Sequence, residues 1–159
     1  MSMRAEVVVA SNRAAAGVYA DETGPLLVAF LGEEGFACGE PVVVPDGEPV
    51  AEALRAAVAD AVDVVLTSGG TGVTPTDRTP EATRGLLDLE IPGIAEAVRA
   101  YSRDRVPAAA LSRGLAGVAG RTLIVNLPGS TGAARDGLAV LGPILAHTVA
   151  QIHGGDHPR

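Results

Sequence analysis

VDVVLTSGGTG, residues 62–72, is the stretch on which the fold turns. Four of its first six residues are apolar and three of those are valine, the pattern of a strand buried on both faces of a parallel sheet. The five that follow are glycine or small and polar, so the strand ends in a loop that a ligand can approach closely. Upstream, EPVAEALRAAVAD (48–60) spaces Val50, Leu54, Ala57 and Val58 along one helical face. PVVVP (41–45) reads as a short strand. ETGPLLVAFLGEEGF (22–36) reads as a helix with Thr23 near its N-cap, Pro25 in the first turn and Gly35 near its end. AEVVVA (5–10) is another buried strand, so the chain opens βαβαβ.

Downstream, TPEATRGLLD (79–88) predicts a helix with Thr79 as cap and Pro80 in the first helical position, and IPGIAEAVRAYSRD (91–104) predicts another. Residues 110–127 suggest a hairpin, LSRGLAGV and RTLIVNL joined at Ala119 and Gly120, which makes one strand antiparallel to its neighbour. A last helix covers 131–153, with a kink or break at Pro143 after Gly142. No repeat, linker or low-complexity tract divides the chain, so residues 1–159 are expected to form one domain of α/β class with a mostly parallel sheet.

With 159 residues and 47% hydrophobic composition the chain can bury one core, and with 3% aromatics and no Trp that core is packed by Val, Leu, Ile and Ala. A net charge of -7 argues against wrapping nucleic acid or coating an anionic membrane. The lone Cys38 has no disulfide partner in the chain and no zinc-type spacing, and it is expected to be a buried structural thiol. The N-terminal apolar run, Val7 to Ala10, is too short for a signal or a membrane span, so the expected compartment is the cytoplasm.

Polar residues follow each of four strands: Ser11 and Asn12, then Asp46, then Ser68 to Thr71, then Asn126 to Ser130. If those strands are parallel, the four loops share one sheet edge, where open α/β folds hold their ligands. SGGTG lacks the Gly-Lys-Ser/Thr of a P-loop, and Pro75 stands where a dinucleotide fingerprint needs its third glycine. Alone it is equally a tight turn or a phosphate cradle. Asp46 in Pro45-Asp46-Gly47 can be a turn residue, and Asp77 can complement a helix start. Two carboxylates beside a phosphate cradle also suit Mg²⁺, which takes one or two carboxylates plus phosphates and water. In NLPGST (126–131), Ser130 or Thr131 can cap a helix or bind an anion. Arg113 after Ser112 can pair with phosphate or sit solvated. His147, His153 and His157 receive no chemistry.

SGGTG with TPTDRTPEAT, then EIPGIAEAVR and NLPGST, resembles the MoaB/Mog family of molybdenum cofactor biosynthesis proteins, the molybdopterin adenylyltransferases. The resemblance spans nearly the whole chain, with Asp21, Thr23-Gly24 and Pro45-Asp46-Gly47 in the family's order. It implies a three-layer α/β/α sandwich, the molybdopterin-binding fold, assembled as a homotrimer. The implied reaction is transfer of AMP from MgATP to the terminal phosphate of molybdopterin with release of pyrophosphate, upstream of a molybdenum-insertion partner. Asp46 and Asp77 are then the catalytic and Mg²⁺-holding carboxylates. Gly69, Gly70, Thr71 and Gly72 would cradle phosphate, and Ser11, Ser68 and Asn126 are further substrate- or nucleotide-binding candidates. Ser112, Pro128, Gly129 and Ser130 would line the pterin or nucleotide portion, and Glu90 would join the rim. Residue 12 departs from the pattern, being Asn where the family often has Asp or Thr. The alternative is a non-catalytic molybdopterin-binding or scaffold protein of the same fold.

Overall fold

The computed structural model describes residues 2–155. In chain order its elements are β1 (Met3–Ala10), α1 (Asn12–Ala15), α2 (Thr23–Glu33), β2 (Phe36–Cys38), β3 (Val42–Val44) and α3 (Glu48–Ala59). Then come β4 (Val64–Ser68), α4 (Thr79–Arg84), β5 (Leu89–Glu90), α5 (Pro92–Arg103) and a 3-10 turn (Pro107–Leu111). β6 (Ala116–Ala119), β7 (Thr122–Leu127), α6 (Thr131–Leu141) and α7 (Leu145–Ile152) complete the described chain.

The strands form one seven-stranded sheet in the order β2-β1-β4-β7-β6-β5, with β3 pairing the C-terminal half of β1 beside β2. β1, β2, β3, β4 and β7 run parallel, and β6 is antiparallel to both β7 and β5. The apolar runs are continuous because both faces of the sheet are covered. On one face Val7, Val9, Val64, Leu66, Leu123, Val125 and Leu127 meet α2, α5, α6 and α7 through Leu27, Leu31, Ile94, Val98, Leu138 and Leu145. On the other, Val8, Ala10, Val65 and Ile124 meet α3 through Val50, Leu54 and Ala57. Each fully buried Leu or Val contributes about 1.5–3 kcal/mol, so the central strands are fixed to both helical layers. The result is the three-layer α/β/α sandwich read from the sequence.

Several boundaries differ from that reading. The helix expected over 22–36 stops at Glu33, because Gly35 (φ +92°) turns the chain and Phe36 enters the core as the start of β2. The helix expected over 79–88 stops at Arg84, and Leu86 and Leu87 pack beneath α3 before the two-residue β5. Only Ala116–Ala119 of the first hairpin arm is strand, and the hairpin loop is Gly120-Arg121. α6 and α7 are separated by Gly142, Pro143 and Ile144, the break that Pro143 forecast. Cys38 is half-buried on an edge strand rather than inside the core, and burial with Glu6 nearby pushes its thiol pKa up. His157 lies outside the described residues.

Candidate functional site

Register brings the polar loops together. Val9 lies opposite Ser68, Ser68 opposite Leu127, and Ala10 opposite Val44, so the loops after β1, β3, β4 and β7 emerge at one sheet edge. The strand order reverses between β1 and β4, the switch point at which open α/β sheets bind ligands. A cavity of about 390 Å³ sits there, walled by Ala10, Ser11, Tyr19, Asp21, Ser68, Gly69, Gly129 and Ser130 among others. A second, of about 630 Å³, adjoins it toward α5 and α6 and is lined by Thr71, Gly72, Arg99, Ser112, Arg135 and others. Both are lined by Gly129 and Ser130.

The glycine loop runs from one cavity to the other. Gly69 (φ +89°) donates its N–H to the Leu127 carbonyl at 3.0 Å, and a Cβ there would collide with the Ala10 carbonyl. Gly129 stacks on it so closely that a Cβ would lie 3.3 Å from the Gly69 Cα. At Gly70 (φ +69°) a Cβ would collide with Thr79 Oγ1 and Asp46 Oδ1, and at Gly72 it would lie 2.8 Å from Asp77 Oδ2. Both expected carboxylates therefore press against this loop, although neither is among the residues lining the two cavities.

Asp46 is held by its backbone, whose N–H donates to Asn12 Oδ1 at 2.9 Å. That contact gives Asn12 a positioning role which needs an acceptor and no charge. Burial and the neighbouring charge of Asp77 raise the Asp46 pKa, partly offset by a hydrogen bond from the Arg78 backbone N–H. Asp46 Oδ1 and Thr79 Oγ1 are buried with no hydrogen-bond partner. Among the described residues no group of three or more His, Cys, Asp or Glu side chains could hold a metal. A pair of mutually repelling carboxylates with an orphaned oxygen fits a cation that brings most of its ligands with it, as Mg²⁺ does with phosphates.

Arg113 is partly exposed, as its surface reading expects, but its guanidinium is fully engaged with protein acceptors and lines neither cavity. Its Nε donates to the Gly72 carbonyl (2.7 Å), Nη2 to the Asp77 carbonyl (3.0 Å) and Nη1 to Glu81 (2.6 Å), while its backbone N–H donates to the Thr71 carbonyl (2.8 Å). This clamp spans the glycine loop and the Asp77 turn, and Thr74 N–H donates to Asp77 Oδ2 at 3.0 Å inside it. Asn126 is buried: its Nδ2 donates to Thr67 Oγ1 (3.1 Å) and Thr83 Oγ1 (3.0 Å), and its Oδ1 accepts from Leu115 N–H (3.0 Å). Its amide ties β7 to β4, α4 and the chain entering β6.

The remaining expected residues divide. Ser68 is 1% exposed and donates to Thr23 Oγ1 at 2.9 Å, while Ser130 caps α6 by accepting from Ala133 N–H at 3.2 Å. Ser11 caps α1 and meets Tyr19 Oη at 3.1 Å. Ser112 and Pro128 line the larger cavity. Glu90 stands on β5, 3.8 Å from Arg84, away from both cavities. Sequence reasoning passed over Tyr19 and Arg99 and read Thr79 only as a helix cap, whereas Arg78 is the N-cap and Thr79 is the buried first residue of α4. Arg99 donates to the Ser112 and Gly114 carbonyls (3.3 and 3.0 Å), and its position inside α5 gave no local hint of that reach.

Open α/β sheets bind ligands at such a switch point, and here two adjoining cavities meet there with the glycine loop between them. The chain belongs to the family described as "Probable molybdopterin binding domain", which matches residues 6–147. It is 39% identical over 137 residues to the molybdopterin adenylyltransferase of Haemophilus influenzae, covering 83% of this chain and 69% of that protein. It is 37% identical over 155 residues to the molybdenum cofactor biosynthesis bifunctional protein of Synechococcus elongatus, covering 96% of this chain and 48% of that one. The chain thus spans about half the length of such bifunctional relatives. In structure it is similar to the molybdopterin biosynthesis Mog protein of Mycobacterium ulcerans, with a TM-score of 0.93 and 50% identity over 97% of this chain and 99% of that one. It is also similar to the molybdopterin biosynthesis enzyme MoaB of Thermus thermophilus, with a TM-score of 0.88 and 43% identity over 96% of this chain and 97% of that one.

Proposed function

We propose that this protein transfers AMP from MgATP to the terminal phosphate of molybdopterin, releasing pyrophosphate. The observation that carries the reading is the pair of adjoining cavities sharing Gly129 and Ser130, with the glycine loop running between them and the two carboxylates packed against that loop. Two substrates seated side by side meet the first need of a group transfer, which is proximity.

The nucleophile is an oxygen of the molybdopterin phosphate monoester. Its second pKa is about 6, so at neutral pH it attacks without a strong general base. Its bond to the α-phosphorus forms as the bond to the pyrophosphate oxygen breaks, and pyrophosphate leaves with that electron pair. Asp46 and Asp77 would hold Mg²⁺, which neutralises phosphate charge when bound. The chain's own part is to fix the two carboxylates through Asn12 and Arg113, and to offer loop amides and the capped start of α6 to phosphate oxygens. The same reading includes a homotrimer, a cytoplasmic setting and hand-over of product to a molybdenum-inserting protein. Among the described residues no helix is long and apolar enough to cross a membrane.

The test is pyrophosphate release with MgATP, with and without molybdopterin. Wild-type protein releases it only when both are present, and Asp77→Asn lowers turnover by about 10²-fold or more while molybdopterin still binds. Molybdopterin binding without pyrophosphate release by the wild type would instead identify a pterin-binding scaffold.

A further inference from the structure

Tyr19 is the one aromatic residue lining either of the two cavities among the described residues. The sequence holds two Tyr, two Phe and no Trp. Phe36 is in the core, Phe30 packs against it, and the Tyr101 ring carries the Arg105 guanidinium 5.7 Å from its centre. Tyr19 instead sits 52% exposed at the switch-point cavity, its hydroxyl 3.1 Å from Ser11 Oγ. Ser11 is fixed in turn, since its Oγ accepts from Ala14 N–H at 3.1 Å and its own N–H donates to the Val44 carbonyl at 2.9 Å. The ring is therefore tethered at its tip to the end of β1. Across the same cavity stand Gly69 and Gly129, which present backbone and no side chain.

We propose that Tyr19 is a specificity-determining residue that stacks on the planar nitrogen heterocycle of a bound substrate, with the Gly69–Gly129 backbone leaving room for that ring. The proposal rests on the adenylyl-transfer reading and deepens it. Each of the two substrates carries such a ring, adenine or pterin, and an exposed π-face in a polar cavity recognises either through the same contact. Ser11 then acts on the ligand through Tyr19, by holding the ring across the cavity.

The composition supplies the probe. In Tyr101→Phe protein all tyrosine fluorescence comes from Tyr19. That protein is titrated separately with a non-hydrolysable ATP analogue, with molybdopterin, and with inorganic tripolyphosphate, correcting for ligand absorbance. The heterocycle that stacks quenches the emission and tripolyphosphate does not. In steady-state assays Tyr19→Ala raises KM for that same substrate about ten-fold with kcat largely kept, and Tyr19→Phe, which keeps the ring but loses the hydroxyl tether to Ser11, restores most of that loss. Quenching by the ATP analogue assigns adenine, and quenching by molybdopterin assigns the pterin. Failure of both to quench, with both KM values unchanged in Tyr19→Ala, overturns the proposal. A wild-type protein without turnover defeats the reaction instead, and the fluorescence titration still decides whether Tyr19 stacks.

Discussion

From Thr67 to Thr83 the chain is tied to distant segments at nearly every turn, whereas residues 11–22, which wall the switch-point cavity opposite Ser68 and Gly69, bond mostly among themselves. The first wall is held by β7 through Gly69, by Arg113 at Thr71, Gly72 and Asp77, and by Asn126 at Thr67 and Thr83. In the second, Ala15, Ala16, Gly17 and Val18 donate to carbonyls within residues 11–14, and the outward ties run through Ser11 to Val44 and Asn12 to Asp46. Charge on a reacting phosphate demands fixed partners, because a preorganised group costs no rearrangement at the moment of reaction. A ring-binding wall tolerates more give, since stacking is forgiving of small displacements. Asp77 thus belongs to the rigid segment and the aromatic ring to the looser one, while Asp46 packs against the first at Gly70 and is tied to the second through Asn12.

The sharpest way to break this contrast is to place the same residue on both walls. Gly69 (φ +89°) and Gly17 (φ +75°) share a left-handed backbone, but a Cβ at Gly17 meets nothing within 4 Å while one at Gly69 drives into the Ala10 carbonyl. Gly17→Ala is expected to cost about 1 kcal/mol of backbone strain. Gly69→Ala adds overpacking against backbone and costs about 3 kcal/mol or more in all. Chemical denaturation of the two variants measures both, and equal losses would erase the distinction between the walls.

Next in size is Asn126→Ala. It removes a buried amide and strands the hydroxyl of Thr67 and the N–H of Leu115, each at a cost of about 1–3 kcal/mol where water does not enter. The expected net loss is about 2–3 kcal/mol, with molybdopterin binding kept if the residue serves the wall rather than the ligand. Ser11→Ala, on the looser wall, removes one helix cap and loses about 1 kcal/mol. A thermal melt beside a binding titration separates the two roles for Asn126.

How legible this was follows from how local each signal is. The central strands and the larger helices declare themselves by apolar runs and spacing, because each is buried against the layers beside it. β2 and β5, of three and two residues, exist only through their partners and have no period of their own. The polar strand ends pointed correctly to one sheet edge, yet chain position could not tell a ligand-facing side chain from one turned into the wall. Asn126 shares the face of Ile124 by simple alternation, which could have placed it beneath α4. The reach of Arg113 to Gly72, 41 positions away, had no sequence signal at all.

The smallest expected effect lies in Asp46, and it has the opposite sign. Burial and the charge of Asp77 raise its pKa above the usual aspartate value, so the folded chain retains this proton at a pH where the unfolded chain has released it. Within that window the folded state binds more protons, and stability falls as pH rises until Asp46 is ionised in both states. Its charge therefore weakens the metal-free fold at neutral pH. Asp46→Asn keeps the shape and an acceptor for the Arg78 N–H, and removes the charge. Metal-free Asp46→Asn should melt slightly higher than wild type at about pH 8, with the gap closing toward about pH 3, where the wild-type carboxyl is protonated in both states. Added Mg²⁺ with ATP should raise the melting temperature of the wild type more than that of the variant, and turnover should be lost in the variant. A melting temperature that falls with the substitution at every pH would mean that the rigid wall needs this charge for its own stability, and the carboxylate would no longer be a group held ready for a cation.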